Sequence, residues 1–334
     1  MMQGKQSIQF EIAPYIVESA SIVGKKEGEG PLGNLFDKIE EDPMLGQKTW
    51  EEAESQLQKQ VAQMVLDKSG YTKNDIRYLF AGDLLEQMTA TSFGLMDMEI
   101  PLFGLYGACS TMGEAMILGA MTVAGGYADK VISLASSHYA SAEKQFRFPL
   151  DYGSQRPLAA SWTVTGCGGV IIGKEKGKAR ITGVTPGKVV DYGLKDSMNM
   201  GACMAPSACD TIYQNFMDFN RQPEDYDKII TGDLGYIGQK ILIDLLKEKG
   251  FNVENQHMDC GIEIFDRETQ DTHAGGSGCG CSAATFTSYI LPQIQKGAWK
   301  RVLFIPTGAL LSKVSFNEGR TVPGVAHAVV VEHC

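Results

Sequence analysis

The sequence lacks the features that mark nucleic-acid-binding or membrane-spanning chains. Its 334 residues carry 30 Lys and Arg against 40 Asp and Glu, a formal net charge of -10, and no cluster of basic residues stands out. Such a surface does not attract a polyanion, so nucleic acid is excluded as a partner. No segment has the unbroken apolar length of a membrane span, and the N-terminus lacks the apolar core of a signal peptide. We therefore expect the chain to stay where it is made.

The cysteines lack the spacing of a structural metal site. The pair Cys279 and Cys281 has no second close pair, and His333 and Cys334 stand at the chain end. Eight cysteines without a secretory signal indicate a reducing compartment, in which thiols stay unpaired. The sequence therefore predicts free thiols, no metal site and no cofactor.

Three sequence elements occur twice in the same order. Residues 75–84, DIRYLFAGDL, align without a gap to residues 225–234, DYDKIITGDL. The pair Cys109-Ser110 matches Cys281-Ser282, and each pair precedes an apolar helical stretch, a glycine and a strand entered through a basic residue. This recurrence indicates a duplicated unit of roughly 150 residues, a usual domain size.

Within each unit the pattern predicts helices alternating with buried strands. The run Thr49-Trp-Glu-Glu52 is a capping box, and the apolar spacing after it predicts a helix that ends at Gly70. Strands such as 131–135 and 302–305 are almost wholly apolar, as in a parallel sheet covered on both faces. The fold class is therefore α/β, with ligands expected beyond the carboxyl ends of the strands.

Seven short motifs carry a resemblance to a known family. They are Gly30-Pro-Leu-Gly33, Leu35-Phe-Asp37, Ala81-Gly-Asp-Leu-Leu85, Gly107-Ala-Cys-Ser-Thr111, Ser136-Ser-His138, Gln145-Phe-Arg147 and Thr307-Gly-Ala-Leu-Leu311. With them the chain resembles the stage V sporulation protein AD family of the thiolase superfamily, from Gly4 to Glu332. The resemblance implies two thiolase-like halves, 1–178 and 179–334, that form a layered αβαβα architecture.

The resemblance also implies a function. The family is similar in fold to thiolases but is regarded as a binding protein that serves the uptake of dipicolinic acid (pyridine-2,6-dicarboxylate) into the developing spore. It implies membrane-protein partners from the dipicolinate transport apparatus and a peripheral place on the cytoplasmic face of the spore inner membrane. Because the superfamily commonly dimerises through its first half, we also expect a homodimer.

Cys109, at the start of a predicted helix, resembles the nucleophile of the ketoacyl-synthase branch of that superfamily. That branch takes a His and an Asn from its second half, and the turns here that resemble theirs, 232–235 and 278–282, contain neither. The sequence thus favours a protein without condensing activity. The alternative is an acyl-CoA condensing enzyme that uses Cys109, with His138 or His273 as an unusual base, and a third interpretation is an assembly protein with an empty pocket.

For the binding interpretation, a planar dicarboxylate needs two anion-binding points and a flat apolar slot. Amides near Ser110 and Thr111 provide one point and Arg147 the other, unless Arg147 is only a surface residue. His138 is either a cationic anchor or a histidine hydrogen-bonded within its loop. Asp83 is a further candidate, and its alternative role is to cap the following helix. Ser277 is the last candidate, because it lies among glycines that let a ligand approach the backbone. Asp233 lies in the turn equivalent to that of Asp83 and is set aside.

Overall fold

The computed structural model describes residues 1–146 and 155–334, and these form a mixed α/β fold. The strands are β1 (Met2–Gln3), β2 (Ser7–Gln9), β3 (Tyr15–Gly24), β4 (Lys38–Glu40), β5 (Tyr78–Gly82), β6 (Leu102–Leu105), β7 (Lys130–Ser137), β8 (Trp162–Thr163), β9 (Gly166–Gly173), β10 (Ala179–Thr185), β11 (Lys228–Thr231), β12 (His257–Asp259), β13 (Gly276–Ser277), β14 (Arg301–Ile305), β15 (Thr307–Ala309), β16 (Gly324–Ala326) and β17 (Ala328–Glu332).

Helices fill the connections between these strands. They are α1 (Lys25–Gly28), α2 (Trp50–Ser69), α3 (Thr89–Leu95), α4 (Thr111–Ala124), α5 (Tyr139–Phe146), α6 (Met200–Phe219), α7 (Gly235–Glu248), α8 (Cys260–Glu263), α9 (Cys279–Thr285), α10 (Leu291–Gln295) and α11 (Lys313–Asn317). A π-helical segment, Phe286–Ile290, joins α9 to α10.

The strand order of the sheet shows the same duplication as the sequence. The first half runs β6-β5-β7-β9-β3 and the second β12-β11-β14-β17-β10. In each half a central strand pairs in parallel with both neighbours, and the next two pairings are antiparallel. β10 and β3 then pair with each other, so the two arrays are continuous. The boundary between 178 and 179 stays a prediction.

Three hydrophobic clusters show how the layers stack. One lies between α2 and the strands of the first half, and a second lies between α6, α7 and the strands of the second half. The third contains residues of α4, of α9 and of strands from both halves. Every side chain of α9 is buried. The two central helices are therefore enclosed by sheet on both sides, which gives the predicted αβαβα order.

The predicted capping box forms as expected. The Thr49 hydroxyl accepts a hydrogen bond from the backbone N–H of Glu52, whose carboxylate accepts one from the N–H of Thr49. The helix ends at Gly70, which has φ of 73° in the left-handed region. The antiparallel strands that flank each parallel group were not predicted, because their partners lie far away in the sequence.

Two features are absent from the part of the chain that the structure describes: a helix able to span a membrane and a cluster of metal-binding side chains. Over residues 1–146 and 155–334 no helix combines the length and the apolar character needed to cross a membrane. The same residues contain no group of three or more His, Cys, Asp or Glu side chains placed to hold a metal ion.

Candidate functional site

A strained turn presents Cys109 between β6 and α4. Ala108 has φ of 52°, a left-handed conformation that costs a residue with a Cβ about 1–2 kcal/mol. Its carbonyl oxygen accepts hydrogen bonds from the Thr111 hydroxyl at 2.6 Å and the Cys279 thiol at 3.0 Å. These contacts hold the turn in its unfavourable geometry.

The backbone amides of Ser110 and Thr111 are used inside the turn. The Ser110 N–H donates to the Gly107 oxygen at 3.2 Å, and the Thr111 N–H donates to the Ala108 oxygen. Both side chains are fully buried, and their hydroxyls also donate within the turn. An anion held here by these two amides would have to displace existing hydrogen bonds.

Cys109 meets the second half of the chain at Asp233 and Gly278. Its thiol donates a hydrogen bond to the Asp233 carboxyl and interacts with the backbone N–H of Gly278. That N–H also donates to Asp233 Oδ2 at 3.0 Å, and the Thr307 hydroxyl donates to Oδ1 at 2.7 Å. Asp233 follows β11 and Gly278 precedes α9, so two second-half turns converge on Cys109.

Burial controls the protonation of both partners. It raises the pKa of Asp233 from 3.8 to about 7, although the hydrogen bonds from Thr307, Gly278 and Cys109 oppose the shift. It also raises the pKa of the Cys109 thiol well above its ordinary value, and the charge of Asp233 raises it further. The thiol is therefore kept protonated, the opposite of what activates a cysteine nucleophile.

A cavity of about 280 Å³ opens over Cys109. Its lining is mainly apolar and comes from both halves: Leu84, Tyr106, Ala108, Phe146, Met200, Ala309, Leu310 and Leu311, with the polar side chains Cys109, Thr163, Ser277 and Ser312. Ser277 is the second-half candidate that the sequence predicted for this site. Apolar walls with a few polar groups are typical of small-molecule sites.

Asp83 lies beside this cavity, within the loop that carries Leu84. Its carboxylate accepts hydrogen bonds from the backbone N–H groups of Leu85 and Thr91, each at 2.7 Å, and from the Thr91 hydroxyl at 2.6 Å. Asp83 is fully buried and is absent from the cavity lining. These contacts match the alternative in which Asp83 holds the start of the following helix.

A second buried carboxyl, Glu54 of α2, stands near Asp83. It accepts hydrogen bonds from the hydroxyls of Ser136 at 2.9 Å and Ser141 at 2.6 Å, and it is fully buried. Burial raises its pKa from 4.5 to about 8, and the charge of Asp83 adds to the shift. Glu54 thereby ties α2 to the end of β7 and to α5, whose last residue, Phe146, lines the cavity.

The five histidines make their described hydrogen bonds away from Cys109. His138 Nε2 binds the Pro43 oxygen at 2.8 Å, and its Nδ1 accepts from the Ala140 N–H at 3.2 Å. His273 Nδ1 binds the Pro157 oxygen at 3.0 Å. His257 bonds to Thr231 and Gln239, His327 accepts from the Gly187 N–H, and His333 bonds to the Ile294 oxygen. His138 is thus held by one hydrogen bond within its own loop and one to the distant Pro43, and burial lowers its pKa.

Of the other sequence-predicted positions, Arg147 falls outside the described residues, which resume at 155. The principal residue that sequence reasoning left out is Asp233. The signal for it was present, because the internal alignment placed Asp233 opposite Asp83. Asp233 was set aside because it lies outside the half that carries Cys109, but the structure brings it against Cys109.

Known proteins of similar structure share this fold at low sequence identity. The 3-oxoacyl-[acyl-carrier-protein] synthase III of Aquifex aeolicus VF5 superposes with a TM-score of 0.56 at 13% identity, covering 96% of this chain and 99% of that one. The acyltransferase ChlB3 superposes with a TM-score of 0.58 at 12% identity, covering 96% and 98%. These similarities establish the thiolase-like fold and nothing about activity.

Sequence comparison is more specific. Stage V sporulation protein AD of Bacillus subtilis (strain 168) is 44% identical over 331 residues, which are 99% of this chain and 98% of that protein. The family model for stage V sporulation protein AD (SpoVAD) matches residues 4–332. The chain is thus a member of the SpoVAD family of sporulation proteins.

Proposed function

We propose that the protein binds dipicolinic acid in the Cys109 cavity, without chemical conversion, for uptake of this acid into the developing spore. The observation that carries the proposal is the contact between Cys109 and Asp233. A nucleophile position whose thiol faces a buried carboxyl, in a cavity with mainly apolar walls, suits binding better than acyl transfer.

The residues that line the cavity suit a flat aromatic acid. Tyr106 and Phe146 supply aromatic faces for a pyridine ring, and the hydroxyls of Ser277 and Thr163 provide hydrogen bonds to carboxylate oxygens. Arg147 follows Phe146 directly in the sequence. We propose that it supplies the positive charge for one carboxylate through a bidentate hydrogen bond.

Condensing chemistry is disfavoured by the same geometry. Acyl transfer needs a thiolate, a base to produce it and donors for the developing oxyanion. Here burial and Asp233 hold Cys109 as a thiol, and His138 and His273 make their described hydrogen bonds to Pro43, Ala140 and Pro157. The chain therefore has the fold of a condensing enzyme with a different set of groups around the cysteine.

Calorimetric titration with dipicolinate tests the proposal. We expect saturable binding that Arg147→Ala weakens by roughly 10- to 100-fold, the size of a lost charge-assisted hydrogen bond. Arg267→Ala is the matched control, because it removes the same charge from an exposed arginine that packs on Tyr236. An absence of saturable heat at millimolar dipicolinate would contradict the proposal.

The enzyme alternative has its own measurement. After incubation with acyl-CoA, intact-mass analysis should show no acyl adduct on the chain. A stoichiometric adduct on Cys109 that a second substrate removes would establish a condensing enzyme instead.

We further propose that the protein works as a homodimer, at the cytoplasmic face of the spore inner membrane, beside membrane proteins of the dipicolinate transport apparatus. The support for a dimer is β6, the terminal strand of the first-half array. It carries Phe103 with 51% of its surface exposed. An edge strand with exposed apolar side chains is a template for pairing with another chain.

A further inference from the structure

Asp233 is a buried acid that the Cys109 thiol separates from the cavity. It is 2% exposed, and its hydrogen-bonded neighbour Cys109 lines the cavity wall. Its other described contacts, Thr307 and Gly278, belong to the protein interior. An anion placed against Cys109 would therefore lie close to Asp233, with a neutral thiol between the two.

The groups that face Asp233 offer no other proton acceptor as well placed. They are Cys109 from the turn before α4, Cys279 and Cys281 from α9, and Asp259 and Cys260 at the start of α8. Burial raises the pKa of all four thiols well above the ordinary value, so they stay neutral. Only a carboxyl can change its charge here near neutral pH.

Asp259 is the weaker candidate for that change. Its carboxylate accepts hydrogen bonds from the Thr231 hydroxyl at 2.6 Å and from the N–H groups of Leu234 at 2.8 Å and Gly235 at 3.0 Å. Burial raises the pKa of Asp259, these donors oppose the shift by stabilising its charged form, and no cavity-lining residue is among them. Asp233, by contrast, bonds directly to a residue of the cavity wall.

We propose that Asp233 takes up a proton when an anionic ligand binds against Cys109, so that the carboxylate enters the cavity together with H⁺. The inference rests on the proposed function and adds to it one proton, which binds to Asp233 when the ligand binds to the cavity. A second negative charge across the thiol favours the neutral form of Asp233. The proton on its carboxyl can be donated to the Thr307 hydroxyl, which is able to accept as well as donate.

The substitution Asp233→Asn mimics the protonated state. The amide oxygen can accept from the Gly278 N–H, and the amide nitrogen can donate to the Thr307 hydroxyl, so these two of the three contacts of the carboxyl are kept. The variant therefore tests the charge of Asp233 with its packing preserved.

Calorimetric titration with dipicolinate in two buffers that differ in ionisation enthalpy measures the proton count, with phosphate and Tris used at pH 8 and phosphate and MES at pH 6. At pH 8 we expect the wild-type chain to take up roughly 0.4–0.8 proton per ligand, and at pH 6 roughly none, since Asp233 with its pKa of about 7 is then already protonated. Asp233→Asn should show no uptake at either pH and should bind roughly 5- to 10-fold more tightly than wild type at pH 8.

The outcomes separate the two proposals. Saturable binding with the same enthalpy in both buffers at pH 8 overturns the proton coupling and leaves dipicolinate binding intact. No saturable binding in either buffer overturns the proposed function itself. The wild-type measurement decides the question even if the variant fails to fold.

Discussion

The buried carboxyl of Glu54 should give the protein a stability that falls as the pH rises. Its pKa is about 8 in the folded protein against an ordinary value of 4.5, so the folded state holds this proton more tightly than the unfolded chain does. The favourable contribution is complete below pH 4.5 and is lost as the pH rises through 8. At 1.36 kcal/mol per pKa unit, the loss approaches about 5 kcal/mol.

The substitution Glu54→Gln should remove this dependence. The glutamine oxygen can accept from Ser136 and its amide can donate to Ser141, so the neutral side chain keeps both contacts. Relative to wild type, its free energy of unfolding should rise by about 3–4 kcal/mol between pH 5 and pH 8.

Urea denaturation followed by circular dichroism at pH 5, 6, 7 and 8 measures the effect. Glu11→Gln makes the same change of charge at an exposed position and should follow the wild-type curve. Parallel pH profiles for wild type and Glu54→Gln would refute the reasoning, because they would show that Glu54 carries the same protons in both states.

Three further predictions concern packing, assembly and acid stability. Gly168→Ala should destabilise the fold by roughly 3 kcal/mol in urea denaturation, because its Cβ would lie 2.2 Å from the Ala283 oxygen; a loss below roughly 0.5 kcal/mol contradicts this. Phe103→Glu should shift the mass from dimer to monomer in light scattering, whereas Phe316→Glu, also exposed, should not; an unchanged mass excludes an essential role for Phe103. Burial lowers the pKa of His327 to about 4, so the free energy of unfolding of His327→Gln should rise relative to wild type by up to about 3 kcal/mol between pH 6.5 and 4; an unchanged difference counts against it.

Much of the fold follows from local sequence signals. The capping box at Thr49 and the apolar runs of β5, β7, β11 and β14 are read within a few residues each, and the internal alignment supplies the duplication. The antiparallel pairing of β10 with β3 joins Ala179 to Ile16, and no local pattern records such a contact. Pairing partners distant in the sequence are the part that a single sequence does not reveal.

For the site, too, the local sequence signals were found and the contacts between distant residues were missed. Cys109 was predicted because the turn and helix around it are contiguous. The role of Glu54 was missed because it lies next to the apolar stripe of α2, where a charged residue reads as solvent-exposed. Its partners Ser136 and Ser141, from β7 and α5, make its burial tolerable.

The position of β17 has a consequence for biosynthesis. This strand, Ala328–Glu332, is the last in the sequence, yet it lies inside the sheet, between β14 and β10. During translation the second-half array stays open along the facing edges of β14 and β10 until these five residues leave the ribosome. We therefore expect the second-half sheet to close only once β17 has been synthesised, and a truncation at 327 to leave two unpaired edges that favour aggregation.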